Sequence, residues 1–185
     1  WGVAFEKTFP KLLEAMLRER NNQTRKYTAV EVINAGIGNY NTRQELTSLR
    51  QEGIKYDPDE VLLIYHLSDS EKTQKEENIP FLTRQLIIRA FLASVKNKIL
   101  AVLDARRRYN FYYRRQYSGR GWGEHQKTLL NFEETIKERG IRLTVLIFPE
   151  LHDFKDYQFL DIHKKITGVF RERGFQVMEL LDIFN

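Results

Sequence analysis

The sequence predicts an α/β protein built on a doubly wound, mostly parallel sheet. Short apolar runs alternate with stretches of helical periodicity along all 185 residues, the order that lays helices over a parallel sheet. Two of the runs, Val61–Tyr65 and Arg142–Phe148, are strongly apolar and lack clean alternation, which suits strands covered on both faces. Neither an internal repeat nor a low-complexity linker interrupts the chain, so a single domain is expected.

Element by element, Thr8 is placed to cap a first helix whose inner face carries Phe9, Leu12, Leu13, Met16 and Leu17. The β-branched run Ala29–Ala35 reads as a strand. Thr42-Arg-Gln-Glu45 has the capping-box pattern and opens a helix with Leu46 and Leu49 inward, stopped by Gly53. Asp57-Pro-Asp59 is a turn leading into the strand Val61–Tyr65. A long helix over Phe81–Leu103 repeats apolar residues at Ile88, Leu92, Val95, Ile99 and Val102, and another over Glu124–Arg139 carries Leu129, Phe132 and Ile136. The strand Arg142–Phe148 closes at Pro149. Phe159, Ile162, Ile166 and Phe170 then mark a helix that stops before Gly174, and Gln176–Leu181 is the last strand. In sheets of this kind the chemistry sits beyond the carboxyl ends of the strands. That directs attention to Gly36–Thr42, His66–Ser70 and Pro149–Asp153.

Composition narrows the function classes. A chain that is 42% hydrophobic and 12% aromatic is a folding chain rather than a disordered one. No apolar run approaches the roughly 20 residues of a membrane span; the greasiest stretch, Leu86–Leu103, is broken by Arg89, Lys96 and Lys98. The absence of cysteine excludes disulfides and thiolate metal sites. The net charge of +5 is concentrated in Arg106, Arg107, Arg108, Arg114, Arg115 and Arg120, and the rest of the chain is close to neutral.

A family becomes visible at the strand ends. Val32-Ile-Asn-Ala-Gly-Ile-Gly-Asn-Tyr-Asn-Thr42, with Gln44-Glu45 close behind, resembles the second conserved block of SGNH (GDSL-like) hydrolases. Tyr56-Asp-Pro-Asp59 leading into Val61–Asp69 is similar to the third block. Trp1-Gly-Val3 with Phe9-Pro10 resembles the residues just downstream of the family's Gly-Asp-Ser nucleophile motif, and Phe148-Pro149-Glu150 and Gly174–Leu181 also fit. The resemblance covers nearly the whole chain, carried by the order and spacing of the motifs more than by any one of them.

The resemblance implies a flavodoxin-like three-layer α/β/α sandwich, the SGNH hydrolase fold. A serine would attack an ester carbonyl while a histidine from a late Asp-x-x-His motif takes its proton. By the same alignment the serine lies just upstream of Trp1 and the Asp-x-x-His beyond Asn185. The chain is therefore expected to lack both, to be inactive alone, and to leave its sheet open beside Ala29–Ala35. Asn39 aligns with the block-two glycine, whose backbone N–H helps hold the oxyanion; asparagine tolerates the positive φ this needs. Ser68 aligns with the block-three asparagine and is followed by Asp69. Such a donor is typically worth about 3–4 kcal/mol of barrier, and a serine hydroxyl reaches less far than an amide. Gly38, Tyr40, Asn41, His66, Asp69, Pro149 and His152 are expected to line the substrate side.

The implied reaction is hydrolysis of a small ester or of an acylated carbohydrate, with neither metal nor organic cofactor. A sugar hydroxyl in place of water would make the same site an O-acetyltransferase. The departures at Asn39 and Ser68 also admit a non-catalytic relative that binds a carbohydrate or a protein. Blander readings stand beside these: Asn34, Asn39 and Asn41 as turn formers around Gly36 and Gly38, and Ser68-Asp69 as a cap.

Of the four histidines, His66 and His152 sit at strand ends, His125 reads as a surface or packing residue, and His163 shares an apolar helix face as a core histidine. Asp161-Ile-His163 is no Asp-x-x-His, since side chains two apart on a helix diverge, so no base is assigned within the chain. No helix pairs histidines at i, i+4, so no metal site is expected. The stretch Arg106–Trp122 interleaves arginines with Tyr109, Phe111, Tyr112, Tyr113, Tyr117 and Trp122. It fits a lid over an acyl pocket, an excursion packed on the domain or, most remotely, a single-stranded nucleic-acid surface through Arg106–Arg120.

Overall fold

The computed structural model describes residues 3–70, 110–151 and 154–184. They fall into two compact units, Trp1–Gly38 and Asn39–Asn185.

The first unit is a helix and an extended tail. Helix α1 (Phe9–Thr24) starts with Pro10 in its first turn, where the missing N–H costs nothing. Thr8 holds the N-cap position, but its hydroxyl donates to the Phe5 carbonyl (2.7 Å) instead of capping the helix. The expected inner face is not inside: Phe9, Leu12, Met16 and Leu17 are 40–68% exposed, and the buried residue is Glu14. The physical reason is size, because fewer than about 40 residues seldom build a core of their own.

The expected strand at Ala29–Ala35 is absent; the segment is extended but joins no ladder. Its backbone groups are taken by α1 instead. Val32 N–H donates to Glu14 Oε2 (2.9 Å) and Val30 C=O accepts from Arg18 Nε (2.9 Å).

The second unit is α/β, with a three-stranded parallel sheet and helices on both of its sides. Its elements are α2 (Thr42–Gln51), β1 (Glu60–Tyr65), a helical segment over 110–116, α3 (Gly119–Lys137), β2 (Arg142–Ile147), α4 (Leu160–Arg171), β3 (Gln176–Glu179) and a four-residue helical turn, α5 (Leu181–Phe184). The sheet order is β1-β2-β3, with Glu60 opposite Arg142 and Tyr65 opposite Ile147 in the first pair, and Thr144 opposite Gln176 in the second. Central β2 is buried from Leu143 to Ile147, as an uninterrupted apolar run requires. The last strand stops at Glu179 rather than Leu181, because the chain turns into α5.

The core joins Leu63, Tyr65, Phe132, Ile136, Ile166 and Phe170 from strands and helices alike. The described part of the basic excursion belongs to that core: Tyr113 and Tyr117 are buried, and Tyr113 meets Phe159 edge-on at 5.4 Å. Arg114 pairs with Asp161 at 2.6 Å, while Phe111 stays exposed. The helix expected over Phe81–Leu103, the arginines 106–108 with Tyr109, and His152 lie outside the described residues.

Candidate functional site

Three chain segments meet beyond the carboxyl ends of β1 and β2. The first is the turn after β1. The His66 N–H donates to Asp69 Oδ2 (2.7 Å) and the Asp69 N–H donates back to the His66 carbonyl (3.0 Å), which ties 66–69 into a closed 3-10 turn. The turn is also held from below. Tyr117 Oη donates to the Leu67 carbonyl (2.9 Å), and Tyr65 Oη lies 2.8 Å from Tyr117 Oη and 2.6 Å from His125 Nε2. With the Tyr117 proton spent on Leu67, Tyr65 must donate to Tyr117, and His125 must donate Nε2–H to Tyr65. His125 is thus a neutral packing histidine, and burial pushes it down to about 4.

The second segment starts α2. Asn41 is the N-cap: its side chain accepts from the Gln44 N–H, and the Gln44 side chain accepts from the Asn41 N–H, both at 3.1 Å. The capping box is therefore shifted one residue from the expected Thr42–Glu45 pair. The shift turns Glu45 inward, toward Asp69. Burial, then the Asp69 charge, push Glu45 up to about 8, and its Oε2 has no hydrogen-bond partner among the described residues. Just before the cap, Asn39 has φ 65°, the left-handed conformation expected of it, with Tyr40 half-buried beside it.

The third segment is Phe148-Pro149-Glu150 after β2, where Pro149 and Glu150 are buried. The Glu150 N–H donates to Tyr157 Oη (3.0 Å), which lies 2.8 Å from His163 Nε2. His163, fully buried as expected of a core histidine, is held below the ordinary imidazole range by that burial. Its Nδ1 lies 3.7 Å from Glu179 Oε2 at the end of β3, so this polar chain runs across the carboxyl edge of the sheet.

His66 links the first and third segments. Its Nδ1 is 2.9 Å from Ser68 Oγ, and its Nε2 is 3.3 Å from Glu150 Oε1, an ion-pair separation rather than an aligned hydrogen bond. The Ser68 N–H also points at His66 Nδ1 (3.4 Å), so ring and turn are tied to each other twice.

Of the residues singled out from sequence, His66, Ser68, Asp69, Asn41 and Pro149 therefore fall at the strand-end cluster or at the α2 start that faces it. Gly38 belongs to the first unit and His152 is outside the described residues. From the sequence, Glu45 has a capping role and Glu150 enters only within the Phe148-Pro149-Glu150 motif; no site role falls to Glu45, Glu150 or Tyr157 there. Glu45 is hidden by the one-residue shift of the cap, and Glu150 by its anonymity as one acid among many. A concavity of about 300 Å³ lies between α2 and α3, flanked by Arg43, Arg50 and Lys127. Among the described residues no group of histidines and carboxylates converges to hold a metal, and no helix is long and apolar enough to cross a membrane. Compared with known proteins, the chain matches no family model, no curated protein and no solved structure.

Proposed function

We propose that the intact protein is an ester hydrolase of the SGNH type, acting on a small ester or an acylated carbohydrate through a serine acyl-enzyme. The observation that carries this reading is the convergence of Asn41–Glu45, His66–Asp69 and Pro149–Glu150 beyond the carboxyl ends of parallel strands, where such sheets hold their ligands. Two further features support it. The order β1-β2-β3 fits the last three strands of the flavodoxin-like order 2-1-3-4-5, and Asn39 has the positive φ that suits a position where the family has glycine. In the family arrangement Asn39 and Ser68 take the oxyanion positions.

The test is p-nitrophenyl acetate turnover by the intact, folded protein. Turnover above the buffer rate is expected, with burst kinetics if the acyl-enzyme accumulates. A folded protein without turnover would move the reading to a non-catalytic binding relative. Acetyl transfer to a sugar without hydrolysis would move it to the O-acetyltransferase.

A further inference from the structure

Helix α2 sets Arg43, Thr47 and Arg50 along one face, and α3 sets Glu124, Lys127 and Asn131 along another, each at the i, i+3 or i+4, i+7 spacing of a helical stripe. The two stripes wall the concavity of about 300 Å³, to which the buried Leu46 and Thr128 also contribute. Three cations and one carboxylate leave two positive charges uncompensated around that space. No carboxylate among the described residues pairs with Arg43, Arg50 or Lys127. Elsewhere in the second unit, arginines that reach another element meet an acid, as Arg114 does with Asp161 (2.6 Å), Arg173 with Glu133 (2.8 Å) and Arg142 with Glu60 (3.4 Å). Like charges gathered around a concavity focus a field that draws an anion into it.

The walls also carry oriented polar groups. Arg50 reaches across to α3, where its Nε donates to Thr135 Oγ1 (3.0 Å), and Thr135 in turn donates to the Asn131 carbonyl (2.8 Å). The guanidinium is thereby held in place before any ligand arrives, which lowers the entropy cost of the contact it makes. Thr47 Oγ1 spends its proton on the Arg43 carbonyl (2.9 Å) and so presents an acceptor. The Glu124 carboxylate is an acceptor as well, and it repels a second anionic group.

We propose that the concavity between α2 and α3 binds a phosphate monoester of a small polyol, the phosphate lying between Arg43, Arg50 and Lys127 and a hydroxyl of the polyol donating to Glu124. A phosphate monoester carries about two negative charges at neutral pH, which matches the uncompensated pair. Guanidinium groups meet its oxygens two at a time, and the lysine adds a point charge. The volume falls at the small end of the roughly 300–1,000 Å³ typical of small-molecule sites, enough for a short polyol chain and not for a large cofactor. Such a site owes nothing to the ester chemistry of the strand ends.

The experiment titrates the intact protein with glucose 6-phosphate by calorimetry at low ionic strength, with glucose and inorganic phosphate as separate titrants. Saturable binding of the sugar phosphate is expected, weakened by about 10-fold in Arg43→Gln and in Lys127→Gln. Both residues are exposed, and neither side chain makes a hydrogen bond or ion pair among the described residues, so these variants keep the fold. Arg142→Gln, which removes an equal charge that Glu60 already pairs, should bind as the wild type does. Absence of saturable binding overturns the proposal, as does affinity unchanged in Arg43→Gln and Lys127→Gln. An equal loss in Arg142→Gln overturns it too, because net charge alone would then account for the binding. Glucose or inorganic phosphate binding as tightly as the sugar phosphate would overturn the ligand class.

Discussion

Glu45 and His125 show how single side chains set the pH response of the second unit, since burial moves both in opposite directions. Glu45 keeps its proton up to about pH 8 when folded, against an ordinary 4.5. Its contribution is full below pH 4.5 and is lost as the pH rises toward 8, because the unfolded chain gives up a proton that the native state retains. His125 titrates near 4 when folded, against 6.5. Its contribution is full above pH 6.5 and is lost as the pH falls toward 4. Between 4.5 and 6.5 the two slopes oppose each other, and above 6.5 only the Glu45 slope remains, at ~1.4 kcal/mol per pH unit for one proton. Urea denaturation should therefore show the wild type losing stability from pH 6.5 to pH 8, and Glu45→Gln nearly flat over the same range. Parallel curves for the two proteins would mean that Glu45 is ionised in the native state.

At the scale of elements, what the sequence made legible was whatever a local pattern decides. The burial of β2, the helix over Leu160–Arg171 and the turn to positive φ at Asn39 follow from apolar runs, periodicity and asparagine's steric tolerance. What was not legible depends on partners. Ala29–Ala35 has strand composition, but a strand is defined by the ladder it joins, and here the backbone groups go to Glu14 and Arg18. The same holds for the α1 face, whose periodicity is helical but whose apolar residues stay exposed. Glu14 is the element-scale hinge of this arrangement: its carboxylate is held below the usual range first by the Val32 N–H, and it also meets Arg18 at 2.9 Å. In Glu14→Ala the Val32 amide should lose its hydrogen-exchange protection while the amides of β2 keep theirs. Protection that survives at Val32 would show that the extended segment is held by something other than α1.

For the whole second unit, the site and the core are one structure, because the Tyr65 ring that packs against Phe170 (6.5 Å, edge-on) carries the hydroxyl that buttresses the turn bearing Ser68. Strand-end positions follow from topology, whereas which hydroxyl meets which ring depends on side-chain geometry across β1 and α3, so the Tyr65–Tyr117–His125 contacts were not legible in the sequence. The coupling has a measurable consequence. Phe170 is 1% exposed, and its truncation to alanine should cost about 3–5 kcal/mol by lost burial and the cavity left behind. The same truncation at Phe111, 69% exposed, should change stability by no more than about 0.5 kcal/mol. At a temperature where Phe170→Ala is still folded, the Tyr65 ring loses its lateral support, so the Asp69 amide that closes the 66–69 turn should exchange faster in that variant and at the wild-type rate in Phe111→Ala. Equal exchange rates in the two variants would show that the 66–69 turn is held by Asp69 alone, without help from the core beneath it.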